Sequence, residues 1–213
     1  MRVPASSGRN DGPIRAGMGA SVKGIFLAGA VAAVRKAIRT GRVPREQVEV
    51  RLDSQDIPFL DEKVDATLWY PVATLGRFLD VLADLQGGDP RDALMEIGRR
   101  AADMAAQTGR YQQLARDRKI GESPSEVLRY GRLVTTVITA FYDFSRMSFG
   151  PHPSEAKAFQ IDWYDVADLP ESNRHCAVGF IARVAHQASP SRFRVESERP
   201  TPDHIVLTLR AVC

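Results

Sequence analysis

Residues 123–144, SPSEVLRYGRLVTTVITAFYDF, decide the fold that we expect for this chain. Ser123 and Glu126 have the spacing of a helix capping box, with Pro124 at the first helical position. Apolar residues then recur at the spacing of one helix face; they are Val127, Tyr130, Val134, Val137, Phe141 and Phe144. Several β-branched residues between 134 and 139 weaken helix formation locally. Because the apolar stripe continues on both sides of them, we predict one long central helix.

Upstream of this segment, prolines and glycines separate several further helices. A helix is predicted over residues 22–40, although residues 22–27 are also compatible with an extended segment. A short polar helix follows over residues 44–52. Pro71 and Pro90 each begin a longer helix, and a glycine pair lies between the two, so we expect antiparallel neighbours. The N-terminal body of the protein is therefore predicted to be helical.

Downstream, the period of the apolar residues changes from helical to alternating. Alternation over residues 159–164 predicts a strand. A helix follows over residues 170–188, and two alternating segments around 193–195 and 205–209 predict an antiparallel hairpin. The chain is therefore predicted to end β-α-β-β, with a loop at residues 150–154. The fold class that this order indicates is α+β, a helical N-terminal body packed on a small C-terminal antiparallel sheet.

Composition places the chain among ordinary globular proteins. Of its 213 residues, 44% are hydrophobic, and 29 basic against 26 acidic side chains give a net charge of +3. The charges are mixed along the chain, so no basic face predicts nucleic-acid binding. No apolar run approaches the length of a membrane span. Residues 1–20 lack periodicity and are rich in Gly, Ser, Pro and Arg, so we expect a disordered tail and one domain over residues 21–213.

The two cysteines, Cys176 and Cys213, form no C-x-x-C pair and indicate no disulfide framework. Free thiols are typical of a reducing compartment, and the first twenty residues contain no apolar signal segment. We therefore expect a cytoplasmic protein.

The sequence contains no recognisable catalytic or metal-binding pattern. Its four histidines are not spaced as helical ligand pairs; they are His152, His175, His186 and His204. Nucleophile elbows, P-loops and dinucleotide-binding glycine motifs are also missing. Asp61, Glu62 and Asp65 cluster in one loop. The simplest interpretation is a solvated acidic loop, and the alternative is a site in which the fold brings two carboxylates close together. We predict no catalytic residue, no metal and no cofactor, and we do not expect an enzyme.

Trp69-Tyr70, directly before Pro71, is the most individual local feature. These aromatics are compatible with a pocket lining or with packing on the helix that follows. Packing is the favoured interpretation, because aromatic residues lie in cores more often than in ligand sites. The same two interpretations apply to Phe141, Phe144 and Trp163-Tyr164.

Several short motifs resemble, in their order, those of a known superfamily. They are Lys23-Gly24-Ile25-Phe26, Trp69-Tyr70-Pro71, Gly88-Asp89-Pro90, Ile97-Gly98-Arg99, Trp163-Tyr164, Gly179-Phe180 and Phe193-Arg194-Val195. The superfamily includes heme nitric-oxide-binding domains, vinyl-4-reductase-type sensory domains and Bet3-like Golgi transport subunits. Within it, the chain looks most like a myxobacterial paralogous family of unknown function. The resemblance, over residues 22–212, implies an NO-signalling/Golgi-transport ligand-binding-like fold with a cavity between helices and sheet, and a homodimer as in many relatives.

The chain departs from the heme-binding branch at the residues that hold heme. Heme binders carry a histidine on the central helix, but none lies between Ser123 and Ser148, and Phe141 is near its expected place. They also carry a Y-x-S-x-R motif on the strand that follows. Residues 142–146 have similar letters at the wrong spacing and are predicted to lie on the helix itself. Without an axial ligand and a propionate-binding arginine, heme has little to hold it.

The resemblance and the missing catalytic motifs favour a non-catalytic small-molecule-binding or sensory domain with an apolar cavity. Its expected partner is a small apolar ligand or another protein. The candidate cavity-wall residues are Trp69, Tyr70, Tyr130, Val134, Phe141 and Phe144. The alternative is a protein–protein interaction or scaffolding module whose core is filled by side chains.

Overall fold

The computed structural model describes residues 19–107, 124–188 and 192–212. Its α-helices are α1 (Gly24–Arg39), α2 (Arg45–Glu49), α3 (Val72–Gln86), α4 (Pro90–Gln107), α5 (Pro124–Thr139) and α6 (Glu171–Ala188), and a short 3-10 helix spans Ile57–Leu60. Its strands are β1 (Ser21–Lys23), β2 (Trp69–Pro71), β3 (Arg146–Pro151), β4 (Ala158–Tyr164), β5 (Arg192–Thr201) and β6 (His204–Val212). No described helix is both long and apolar enough to cross a membrane. Residues 1–18 of the predicted tail and the predicted cap at Ser123 lie outside the described residues.

The C-terminal sheet contains four antiparallel strands in the order β3-β4-β6-β5. Its register places Trp163 opposite Ile205 and Ile161 opposite Leu207. All four side chains are buried, because alternate strand residues point to the same face and this face lies against α5 and α6. The predicted α+β class, with a helical N-terminal body and a small C-terminal antiparallel sheet, is confirmed.

At the start of the described chain, β1 pairs antiparallel with β2, so that Ser21 lies opposite Pro71. Pro71 therefore belongs to a strand, and α3 begins one residue later than predicted. Of residues 22–27, the extended interpretation is confirmed for 22 and 23, which lie in β1, and it is wrong for 24–27, because α1 begins at Gly24. α4 begins at Pro90 as predicted, where the Asp89 carboxylate accepts a hydrogen bond from the Arg91 amide at 2.7 Å.

The central helix is shorter than predicted, because α5 ends at Thr139 and residues 141–144 lie beyond it. Several residues in its last turns are β-branched, and the Thr139 hydroxyl donates a hydrogen bond to the Thr135 carbonyl oxygen at 2.8 Å. The chain beyond the helix bonds to β1 instead. There the Lys23 amide donates to the carbonyl oxygen of Phe141 at 2.9 Å. Pairing with β1 therefore ends the helix where the predicted stripe would have continued.

The sequence analysis missed β3, the strand that follows this turn. β3 pairs with β4, so that Met147 lies opposite Trp163 and Phe149 opposite Ile161. The predicted loop at residues 150–154 was therefore placed too early, and the C-terminal part reads β-β-α-β-β. Residues 142–146 lead into this strand and do not lie on the helix. Proline is tolerated at the end of β3 because β3 is an edge strand.

α4 and α6 cross with their backbones in contact at two glycines. A Cβ atom on Gly98 would lie 1.9 Å from the carbonyl oxygen of Cys176, and one on Gly179 would lie 1.9 Å from that of Met95. Both distances are far below a van der Waals contact, so no larger residue fits at either position without separating the helices. The crossing joins the helical body to the helix that covers the sheet.

Replacing Gly98 by alanine should lower the free energy of unfolding by about 2 kcal/mol or more, because the added methyl group meets backbone atoms. Gly29→Ala is the matched control, since Gly29 is an exposed glycine of α1 with nothing within 4 Å of an added Cβ. Alanine there should raise stability by about 0.5–1 kcal/mol. Urea denaturation measures both, and an equal effect of the two substitutions would contradict the close crossing.

Candidate functional site

An apolar cavity of about 40 Å³ lies between the inner face of the sheet and the helices α5 and α6. α5 borders it with residues spaced by three and four positions, which share one helix face. Each strand of the C-terminal sheet adds at least one side chain from its inner face. The described lining residues are Val127, Tyr130, Gly131, Val134, Phe149, Phe159, Ile161, Ile181, Val184, Ala185, Phe193 and Leu209.

Phe149 lines the cavity at the place where the sheet meets α5. Its ring stacks on Phe159 of the neighbouring strand, with 5.5 Å between the ring centroids and 11° between the ring planes. The ring also lies against Gly131, where an added Cβ would come within 2.2 Å of it. Because Gly131 has no side chain, the Phe149 ring can lie directly against the surface of α5.

The described lining of the cavity offers mainly hydrophobic contact. Among its described lining residues, Tyr130 carries the only hydroxyl, and none carries a carboxylate, imidazole, thiol or amine. General acid–base and nucleophilic catalysis both depend on such groups. The described lining is therefore suited to holding an apolar group.

Two of the six candidate wall residues, Tyr130 and Val134, line this cavity. Trp69 and Tyr70 lie in β2, outside the C-terminal sheet, and contact other residues. Lys23 Nζ lies 4.0 Å from the centroid of a Trp69 ring, a cation–π contact across the two-stranded sheet. The Tyr70 hydroxyl accepts a hydrogen bond from the Asp65 amide at 3.0 Å.

Phe141 and Phe144, the other two candidates, belong to aromatic contacts beyond the end of α5. Phe141 packs edge-to-face on Phe26 of α1, with 4.9 Å between the centroids. Phe144 makes an edge contact with Tyr142, which in turn contacts the buried Trp163 at 5.3 Å. These rings occupy the space between α1, the C-terminal end of α5 and β4. The cavity lies closer to the N-terminal end of α5.

The sequence analysis missed the cavity residues contributed by the sheet and α6. Phe149 lies in the unrecognised strand β3, although Met147 and Phe149 alternate with polar or small residues there. Phe193 and Leu209 were correctly predicted to lie on strands. Which face of each strand meets α5 depends on the register of the sheet, which the sequence pattern does not give.

The acidic group in the loop before β2 is held by local partners. The Asp61 carboxylate accepts two hydrogen bonds from Arg45, at 2.8 and 2.7 Å, which lower its pKa. Asp65 accepts bonds from the amide and hydroxyl of Thr67, which lower its pKa as well. Both carboxylates are exposed, so these are solvated structural contacts.

The histidines are dispersed over the described residues. His152 accepts backbone hydrogen bonds in the loop after β3, and His204 lies 3.0 Å from Asp162 on the outer face of the sheet. Burial, with Arg174 nearby, lowers the pKa of His175 on α6. In the described ranges, no three His, Cys, Asp or Glu side chains are grouped so that they could hold a metal ion.

Cys176 should be unreactive in the folded protein, because burial raises the pKa of its thiol to about 12. At pH 8 its thiolate fraction is then roughly a thousandfold lower than that of an ordinary thiol. Ellman's reagent should therefore label native Cys213→Ser protein, in which Cys176 is the remaining thiol, far more slowly than the same protein in denaturant. Rapid stoichiometric labelling of the native protein would show that the thiol is accessible and activated.

Neither a protein-family model nor a curated protein matches the chain. Several solved structures do match the chain. The Fe(II) unliganded H-NOX protein from K. algicida is 12% identical with a TM-score of 0.59, over 90% of this chain and 97% of that one. An H-NOX protein from S. oneidensis in the Fe(II)NO state is 13% identical with a TM-score of 0.54, over 90% and 99%. A mutant T. tengcongensis H-NOX is 11% identical with a TM-score of 0.59, over 90% and 98%.

At these identities the likeness establishes the fold alone. It confirms the part of the predicted resemblance that concerns heme nitric-oxide-binding domains, whereas the narrower assignment to a myxobacterial family stays a prediction. The chain described here has the fold of an H-NOX domain, with an apolar cavity between its sheet and the helices α5 and α6.

Proposed function

We propose that this chain is a non-catalytic small-molecule-binding or sensory domain whose ligand places an apolar group in the cavity beside α5. The observation that carries this proposal is the lining of that cavity, which consists of aliphatic and aromatic side chains from both helices and all four strands. An apolar lining of this kind gains binding energy from contact with apolar occupants. A ligand bound in the cavity would contact every helix and strand that lines it, as a sensor requires.

Heme, the group that a solved H-NOX structure names, does not fit the residues of this chain. A cavity of about 40 Å³ is far smaller than the several hundred that larger ligands need. Among the described lining residues, Tyr130 is the only one with a side-chain atom that could bind iron, and none carries a positive charge for a propionate. Aromatic rings fill the space at the end of α5, near Phe141. We therefore infer a ligand other than heme.

The scaffolding alternative has some support in this same filling, because Phe141 and Tyr142 pack against neighbouring aromatic rings. It requires in addition an exposed apolar patch as a docking surface. The large apolar side chains that are exposed among the described residues are Val50, Leu68 and Met104, which lie on three different segments. Scattered single residues of this kind are normal on protein surfaces. The observations thus favour ligand binding.

Hemin should produce no stoichiometric complex with the purified protein. Because α5 offers no histidine, we expect the Soret band to stay that of free hemin throughout a titration. A tight and saturable complex with a shifted band would contradict this, and it would direct attention to His152 or His175 as ligand.

Xenon should bind the cavity of the native protein, since it occupies dry apolar cavities. Amide NMR spectra under xenon pressure should show shifts centred on Val134 and Leu209. Ala185→Leu places a larger side chain in the cavity, so it should abolish these shifts without lowering the free energy of unfolding. Ala33→Leu, on an exposed position of α1, is the matched control and should leave the shifts intact.

Absence of xenon shifts in both the native protein and the control would overturn the proposal and leave the scaffolding alternative. Native mass spectrometry of protein purified from its own host complements this test. It should reveal a co-purifying apolar compound, and it also counts subunits, which checks the homodimer that stays a prediction.

A further inference from the structure

Three side chains in the core outside the cavity bury polar atoms that bond to no other described residue. Trp163 is 0% exposed, Asn173 2% and Ser145 9%. The unpaired atoms are the indole Nε1 of Trp163, the hydroxyl oxygen of Ser145 and both amide atoms of Asn173. A polar group loses its bonds to water on burial, so native structures rarely leave one without a partner. Several such groups in one core therefore point to a partner that the side chains themselves do not supply.

Two of the three side chains belong to the inner face of the C-terminal sheet. Met147 lies opposite Trp163 in the register of β3 and β4. Ser145 precedes Met147 by two residues, and alternate residues of an extended chain point to the same side. The burial of Ser145 agrees with this placement. The hydroxyl of Ser145 and the indole of Trp163 are therefore diagonal neighbours on the face that α6 covers.

The third side chain approaches from α6. Asn173 lies in the first turn of α6, where its Oδ1 atom is 3.3 Å from the position that a Cβ on Gly76 of α3 would take. Cys176 follows three positions later and shares its helix face. Burial, and to a lesser degree the neighbouring Cys176, raise the pKa of the Tyr142 hydroxyl, so Tyr142 lies close to this face.

Tyr142 connects the two groups of unpaired atoms. Its ring contacts Trp163, with 5.3 Å between the ring centroids. Because the same residue also lies near Cys176 on α6, the polar atoms of the sheet and those of α6 border one layer of the core. None of these residues is among the described lining of the apolar cavity.

We propose that this layer, between β4 and the first turns of α6, is an internal hydration site in which ordered water bonds to Trp163, Ser145 and Asn173. A buried water molecule typically makes about three hydrogen bonds to polar groups that would otherwise be unpaired. The site offers donors from the indole and the amide, and acceptors from the hydroxyl and the amide oxygen. Water matches this set because it both donates and accepts. The inference goes beyond the proposed function, since it concerns a second and polar site.

The charge of the surroundings decides against an ion as the occupant. Indole, hydroxyl and carboxamide groups are neutral, and burial raises the pKa of both Tyr142 and Cys176, so these two also stay neutral at pH 7. An ion would lose its hydration here without meeting an opposite charge among these side chains. A hydrocarbon would leave their polar atoms unpaired. A neutral, hydrogen-bonding occupant is therefore favoured.

The two tryptophans of the chain provide a comparison within one protein. Trp69 is partly exposed, whereas Trp163 is fully buried. In NMR spectra that detect contacts with water, the indole proton of Trp163 should show a nuclear Overhauser effect of the sign that marks a long-lived water molecule. The indole proton of Trp69 should show only short-lived contact or exchange with solvent.

Two substitutions should empty the site in part. Oxygen-17 relaxation dispersion counts long-lived water molecules, and Ser145→Ala or Asn173→Leu should each lower this count by about one. Thr135→Val is the matched control. Thr135 is buried as well, but its hydroxyl donates to the Arg132 carbonyl oxygen of its own helix at 3.0 Å, so the count should not change.

A Trp163 indole proton without a long-lived water contact would overturn the proposal, as would a count that Ser145→Ala and Asn173→Leu leave unchanged. An indole proton shifted upfield, without contact to water, would show instead that the Tyr142 ring accepts the N–H group. Should a variant fail to fold, the comparison of Trp163 with Trp69 in the native protein decides alone. Neither result depends on xenon binding, so the proposed function is tested separately.

Discussion

The backbone contact between α4 and α6 is the constraint on which the remaining structure depends. Gly98 and Gly179 let the two helices approach until backbone meets backbone. Near the other end of the crossing, Asp103 accepts hydrogen bonds from Arg183 and Gln187, both at 2.7 Å. Close-packed helices gain many small dispersion contacts and tolerate little displacement. This contact therefore fixes the position of α6 relative to α4, while the opposite face of α6 lies against the sheet.

That fixed position determines the cavity. Ile181 and Val184 lie on α6 and face the sheet residues across the cavity, so the distance between α6 and the sheet decides how much space is left. α5 approaches from the other side, and its glycine at position 131 receives the Phe149 ring. The free volume lies beside that ring in an otherwise dense core, where Trp163, Ile161 and Leu207 are almost completely buried.

The two ends of α5 have different surroundings for a physical reason. Beyond its C-terminal end, Tyr142 and Phe144 stack edgewise toward Trp163, and Phe141 packs on Phe26, so large rings fill the space. At Gly131 the Phe149 ring lies directly against the helix, and the cavity lies beside that ring. Such packing is specific to each protein, which is why fold likeness alone does not carry a ligand from one protein to another.

The spacing of apolar residues, together with the prolines, glycines and capping residues between them, predicted most of the helices and strands. Asp89-Pro90 begins a helix because its cap is local, and the alternation over residues 159–164 and 205–209 reports strands with one buried face. The end of the central helix and the strand β3 were not predicted. Thr139 ends α5 because β1, more than a hundred residues earlier, supplies backbone partners for the residues that follow. A competing partner so distant in the chain leaves no signal in the local pattern.

The candidate site shows the same division. Tyr130 and Val134 were predicted because they belong to an apolar helix face, which follows from spacing alone. Phe149, Phe159 and Phe193 border the cavity only because strand register and the crossing of α4 with α6 bring their faces together. The sequence by itself determined which residues are apolar and on which kind of element they lie. Tertiary structure alone decided where a volume remains unfilled, because a cavity is a difference between the positions of packed elements and belongs to no single one of them.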